Sequence, residues 1–215
     1  MSKLKKVIKK VIGQEKIVNP MIDQYNYCKE YFGWSGGALQ SKNILIVTNI
    51  NVINEVQSLI SVENANVSIF SIDKILSEGC SSIASASSDN VGPFTNIINL
   101  IKDNSQNTNE EEIVKISYKL LQIECDYLIN KPNCGVISSG IITNNLVMSG
   151  TIESLFEGLS LALGRHNIIE NGLIADLKTS ITDIVNALTY LNSKYGYILA
   201  GEVLILSEDK SNGEL

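Results

Sequence analysis

Few residues of this chain combine a reactive type with a useful spacing. Ser149 and Glu153 stand four apart, so a helix would carry them on one face. A serine and a carboxylate so placed could serve as nucleophile and base, yet no activating partner and no oxyanion hole is legible around them. Ser138 and Ser139 form a second pair, in an apolar run that reads as a strand end. Together with Asn144 and Asn145, these residues would line a crevice at the carboxyl ends of the strands. His166, the single histidine, follows Gly164 and Arg165 at a helix end, where a cationic side chain complements the helix dipole; no nucleophile accompanies it. Cys28, Cys80, Cys125 and Cys134 show no Cys-x-x-Cys spacing, so no metal site is expected. The run Gly33-Trp34-Ser35-Gly36-Gly37 precedes a strand, whereas phosphate-cradling loops follow one, so it reads as a plain loop.

The bulk composition narrows the partners. A net charge of −6 disfavours a general nucleic-acid role, which needs clustered Lys and Arg. The charge is uneven. Six lysines against Glu15 give the first sixteen residues +5, which leaves −11 for the rest of the net −6. Residues 2–13 have Leu4, Val7, Ile8, Val11 and Ile12 at helical spacing with lysines opposite, the pattern of a short amphipathic helix that could touch an anionic membrane surface or dock a partner. Lys9 and Lys10 interrupt what would otherwise be a leader's apolar core, and the expectation is a cytoplasmic protein with reduced thiols, peripheral to a membrane at most. Tyr25, Tyr27, Tyr31, Phe32 and Trp34 concentrate aromatic surface just after this segment. Residues 1–42 are therefore set apart as an extension, and 43–215 as the main domain.

Those candidate residues must be held by strands and helices that alternate from Asn43 onward. Ile44–Val47 is a buried-strand run, followed by the helical spacing of Val52, Val56, Leu59 and Ile60. Val67–Ile72, Thr95–Ile101 and a segment around Val136–Ile137 read as further strands. Glu110–Ile129 and Thr151–Leu163 read as helices, and Asn167–Ile174, Thr182–Leu191 and Glu202–Leu206 as strand, helix and strand. The Ser- and Ala-rich stretch Gly79–Gly92 reads as loop or a rudimentary element. Strands separated by helices of this length predict an α/β, Rossmann-like three-layer sandwich on a mostly parallel sheet of about six strands, shortened in its amino-terminal half.

The carboxyl end carries a resemblance. Thr182–Leu206 has Leu191, Ser193, Tyr197 and Gly201 ahead of the apolar Val203–Leu206, and 154–176 holds Glu157-Gly158-Leu159 and then Asn167 through Ile174. Ile98 and Asn99 sit where a fourth strand would run into an Asn-Ala-Gly turn. In order and rough spacing these segments resemble the short-chain dehydrogenases/reductases over about residues 43–207. Active members of that family use a Tyr with a Lys four residues on, which lowers the tyrosine pKa. The register set by Glu157-Gly158-Leu159 puts Ser149 and Glu153 in those places. The family's glycine-rich turn, which lets a backbone approach pyrophosphate, is matched by Asn49, Ile53 and Glu55. The Asn-Ala-Gly turn is matched by Asn99-Leu100-Ile101, and a later Pro-Gly step by Ala175-Asp176. Ser138 or Ser139 alone occupies the position of the family's catalytic serine.

The resemblance thus implies the fold without its chemistry: a degenerate member, no NAD(P) cofactor, and no oxidoreductase activity. It also implies a homo- or hetero-oligomer formed through the helices at 110–129 and 148–163 and the last strand, with the chain acting as an assembly or scaffold subunit. The alternative is an enzyme of changed chemistry, or a small-molecule binder, using the remnant crevice. Polar groups lining that crevice would favour the alternative; Ile53, Leu100 and Leu146 filling it would favour assembly.

Overall fold

The computed structural model describes residues 39–56, 65–90, 92–103, 110–129, 131, 135–144, 146–193 and 196–206. The basic segment 1–13, the aromatic cluster 25–34, the Gly33–Gly37 run, Cys28, Cys134 and Asn145 lie outside the described residues.

The strands are β1 (Asn43–Thr48), β2 (Asn66–Ser71), β3 (Asn96–Lys102), β4 (Gly135–Ile142), β5 (Ile168–Ala175) and β6 (Val203–Leu206). They form one sheet in the order β2-β1-β3-β4-β5-β6, and every neighbouring pair is parallel. The four inner strands are almost wholly buried, which matches their near-continuous apolar runs: both faces are covered. The two edge strands read differently. β2 alternates exposed and half-buried residues, and β6 exposes Ile205.

Among the described residues, five helices longer than the single turn 53–56 position these strands: α1 (Ile72–Glu78), α2 (Cys80–Asn90), α3 (Glu110–Ile129), α4 (Leu146–Leu163) and α5 (Ile181–Asn192). Ser71 ends β2 and caps α1, its hydroxyl accepting from Lys74 N at 3.3 Å, so the chain turns from strand to helix without a loop. Ser180 caps α5 in the same manner, accepting from Asp183 N at 3.1 Å.

The register sorts the sheet into two faces. Asn99 pairs with Ser139 and Ser139 with Gly172, so these residues point one way, with Ile97, Ile101, Ile137, Ile141 and Glu170. This face packs against α3 and α4 through Leu120, Leu121, Ile152 and Phe156. Gly172 permits the contact with Phe156, because a Cβ there would lie 2.5 Å from Phe156 Cδ2 and 2.9 Å from Val203 Cγ2. The opposite face, with Asn96, Ser138, Gly140 and Asn171, lies under α5. Here Leu188 sits so close to Gly140 that a Cβ would meet it at 2.9 Å.

The Gly79–Gly92 stretch corrects the expectation of a loop or a rudimentary element: Cys80–Asn90 is the eleven-residue helix α2. Its serines obscured it, since they are weak helix formers and common in turns. In the structure Ser81 Oγ donates back to Glu78 O at 2.6 Å and Ser82 Oγ to Gly79 O at 2.8 Å. Ile83 and Ala86 are buried in the core, so tertiary packing outweighs the weak propensity. Gly79, with φ +64°, separates α1 from α2. The helix α1 was not expected at all, and Leu59 and Ile60 of the helical spacing after β1 lie outside the described residues. The other elements fall within a few residues of expectation, with Val136–Ile137 lying inside β4 as read from sequence.

Candidate functional site

The site that the fold would offer a ligand lies at the carboxyl ends of β1, β3, β4 and β5, beside the first turn after β1. That turn is built from its own side chains. Thr48 Oγ1 accepts from Ile50 N at 3.1 Å, and Asn51 Oδ1 accepts from Ile53 N at 3.1 Å. Asn49 behaves as one more rung of the sheet: its Nδ2 donates to Lys102 O and its Oδ1 accepts from Lys102 N, both at 2.9 Å. The backbone donors of a turn that could hold an anion are thus partly used internally. Ile53 is 55% exposed here, and Glu55 brings a half-buried carboxyl to the short helical turn 53–56.

The other strand ends are laced together as well. Asp103 N donates to Ile142 O at 2.9 Å, Thr143 N to Ala175 O at 2.8 Å, and Asp176 N to Leu206 O at 3.0 Å. Thr143 Oγ1 donates to Asp103 Oδ2 at 3.3 Å, and Asn144 Oδ1 accepts from Leu177 N at 3.1 Å. Leu100 is buried, while Ile53 points outward, so of the residues expected to fill the crevice these two behave oppositely.

Ser138 and Ser139 are not at a strand end. β4 runs on to Ile142, and both serines are buried in its middle, on opposite faces of the sheet. They cannot share a pocket. Asn99 is likewise inside β3 rather than in a turn, because the strand continues to Lys102. Ser149 and Glu153 lie one turn apart in α4, both half-buried. His166 is exposed in the 3-10 turn Gly164–His166 that ends α4.

Each buried serine belongs to a polar network that sequence reasoning missed. Under α5, Asn192 Nδ2 donates to Ser138 Oγ at 2.7 Å and to Ile97 O at 3.0 Å. Asn96 Nδ2 donates to Asn192 Oδ1 at 2.8 Å and to Asn192 O at 2.9 Å. Asn171 Nδ2 donates to Leu191 O at 3.1 Å. These bonds seat the last turn of α5 on β3, β4 and β5. On the other face, Asn99 Nδ2 donates to Glu124 Oε2 of α3 at 2.8 Å and to Ser139 Oγ at 3.3 Å.

The second network contains the largest carboxyl shifts among the described residues. Burial raises the Glu124 carboxyl to about 8, against a small opposing effect of its bond from Asn99. Burial and the neighbouring Glu124 raise Glu170 to about 8. Cys125 is pushed up to about 12 by burial and by the carboxyls of Glu124, Glu170 and Asp126, so its thiol is unreactive at neutral pH. Glu124 was findable: it falls on the apolar stripe of α3, among Ile113, Ser117, Leu120 and Leu128. Glu170 was findable too, as a single charge inside an apolar strand run.

On their outward side α3 and α4 leave a groove of about 430 Å³, whose lining includes Tyr118, Leu121, Cys125, Leu159 and Leu163. Tyr118 is 43% exposed, and Leu161 on α4 is 79% exposed. Among the described residues no group of three or more His, Cys, Asp or Glu gathers as a metal site would need, and no described helix is long and apolar enough to cross a membrane.

No protein-family model matches the sequence, and none of the curated proteins matches it significantly. Solved structures do match in fold. A short-chain dehydrogenase from Oenococcus oeni PSU-1 aligns with a TM-score of 0.54 at 16% identity, over 78% of this chain and 96% of its own. One from Leptospira borgpetersenii serovar Hardjo-bovis (strain JB197), determined with bound NAD+, aligns with a TM-score of 0.58 at 12% identity, over 78% of this chain and 92% of its own. The fold is therefore the Rossmann-like fold of the short-chain dehydrogenases.

Proposed function

We propose that this chain is a non-catalytic homologue of the short-chain dehydrogenases that acts by assembly, pairing with a second copy through α3 and α4. The observation that carries the reading is the turn after β1. Its Ile50 and Ile53 amides are occupied by Thr48 and Asn51, and Asn49 is bonded to Lys102 across the strand ends. Glu55 adds a carboxyl where a pyrophosphate would need positive potential. The residues present do not fit a dinucleotide. Ser149 and Glu153 at the acid/base positions support the same reading. A serine hydroxyl is a far weaker acid than a tyrosine, and a carboxylate beside it opposes its ionisation.

The alternative of changed chemistry in the remnant crevice has less support, because Ser138 and Ser139 are buried on opposite faces and engaged in packing networks. Assembly draws its support from the outward surface of α3 and α4. Tyr118 on α3 lines the groove and is left partly in water, and Leu161, away from the groove on α4, is an exposed apolar group as well; an isologous contact through these helices would bury each of them twice. The amphipathic pattern of residues 1–13 remains a second docking element, toward a partner or a membrane surface.

Sedimentation velocity from low to high micromolar concentration tests the pairing. The expected result is a reversible dimer. Leu161→Glu and Tyr118→Glu should each weaken it by about tenfold or more, roughly 1.4 kcal/mol, while leaving the thermal midpoint of the monomer unchanged. A strictly monomeric chain at every concentration overturns the assembly reading.

A further inference from the structure

The layer between the sheet and α3 holds a set of oxygens to which no described residue donates. Glu124 of α3 is 0% exposed and Glu170 of β5 is 1% exposed. Asn99 Nδ2 supplies Glu124 Oε2 with a hydrogen bond at 2.8 Å. Among the described residues, Glu124 Oε1, both oxygens of Glu170 and Asn99 Oδ1 have no donor. Among the described residues no Lys, Arg or His pairs with either carboxyl. Two ionised carboxylates here would repel each other and would each lose their hydration without a counter-charge. A protonated carboxyl, by contrast, brings its own donor to an acceptor-rich site.

We propose that Glu124 and Glu170 form a proton-operated latch: α3 stays seated on the sheet while the pair holds its protons, and loosens when the pair ionises.

The surroundings contain little else that titrates. On α3 the neighbour is Cys125, whose thiol stays neutral and feels both carboxyls. β3 and β4 present Asn99 and Ser139, which have no titrating group. From α4, Ile152 and Phe156 pack into this layer, with Glu153 half-buried and Glu157 exposed on the same helix. α1 carries Asp73, Lys74 and Glu78, all exposed. Cys80 of α2 responds to burial, then to Asp126 and Lys131, and not to the pair.

The direction of the pH effect follows from the folded and unfolded proton affinities. Unfolded, both side chains ionise near 4.5; folded, they do so near 8. Between those values the folded chain holds protons that the unfolded chain has lost, so stability is greatest at low pH and falls as pH rises through this window, levelling above it.

The test is urea denaturation of the full chain from about pH 5 to about pH 9, joined to amide exchange over 110–129 corrected for its intrinsic pH dependence. The expected result is a folding equilibrium constant that falls roughly tenfold per pH unit for each proton held, with protection of 110–129 lost before that of β3, β4 and β5. Glu170→Gln keeps the shape and removes one ionisation; it should flatten the slope and keep 110–129 protected at the alkaline end. Glu124→Gln gives the same comparison should the first variant not fold. A pH-independent full chain, or a slope unchanged in both glutamine variants, overturns the latch. Stabilisation of the alkaline chain by millimolar Ca2+, Mg2+ or K+, abolished in Glu170→Gln, overturns it in favour of a cation site.

Discussion

Phe156→Ala should lower the free energy of unfolding by about 3–5 kcal/mol, read from urea denaturation at fixed pH. Phe156 is 1% exposed and lies between α4 and β5, where its ring covers Gly172. Removing the ring leaves a void in a core cluster rich in β-branched isoleucines, whose stiff side chains limit its collapse. The pairing with Gly172 makes the prediction sharper. In the wild-type chain Gly172→Ala drives a Cβ into Phe156 and Val203 and should cost about 1–3 kcal/mol. In the Phe156→Ala chain the larger of those clashes is gone, so the same substitution should cost measurably less. The coupling should lie within about 0.5–3 kcal/mol. Strict additivity would mean that the two residues do not meet as described.

Asn192→Leu should be destabilising by on the order of 3 kcal/mol, despite replacing a polar residue by an apolar one of similar size in a buried place. The amide of Asn192 satisfies Ser138 Oγ, Ile97 O and Asn96 Nδ2 at once. Leucine satisfies none of them, and Ser138 and Ile97 O are left without this donor. Ser138→Ala removes only one hydroxyl and should cost about 1 kcal/mol. This ordering, with the asparagine outweighing the serine, separates a packing role for Ser138 from a chemical one. Equal losses from the two variants would contradict the network.

The fold was legible because its signals are redundant. The inner strands are apolar on both faces, α3 has a twenty-residue stripe, and the alternation of strand and helix leaves few topologies. The family's segment order at the carboxyl end pointed to the same architecture, which the structural likenesses bear out at the level of fold. α2 was illegible because its serines satisfy themselves by bonding back to the preceding turn, a tertiary outcome that composition alone does not show. The site was legible only in part. Asn49 was marked as an obstacle in a glycine position, but its bridge to Lys102 depends on the β1–β3 pairing. Ser138, Ser139 and Asn99 were assigned to strand ends because the family's strands stop there; here β3 and β4 run three residues further. The three side chains therefore lie within the strands rather than at their ends, and all are buried. Glu124 and Glu170 were passed over for a different reason. They match no motif, and only their place on apolar faces marks them.

The central claim is that the fold persists without its dinucleotide chemistry, and calorimetric titration of the full chain with NADH and NADPH tests it most directly. The account predicts no saturable heat with either cofactor up to millimolar concentration, because two amides of the β1 turn are taken by Thr48 and Asn51 and Glu55 adds negative charge to the turn. Clear micromolar binding of either cofactor would contradict it.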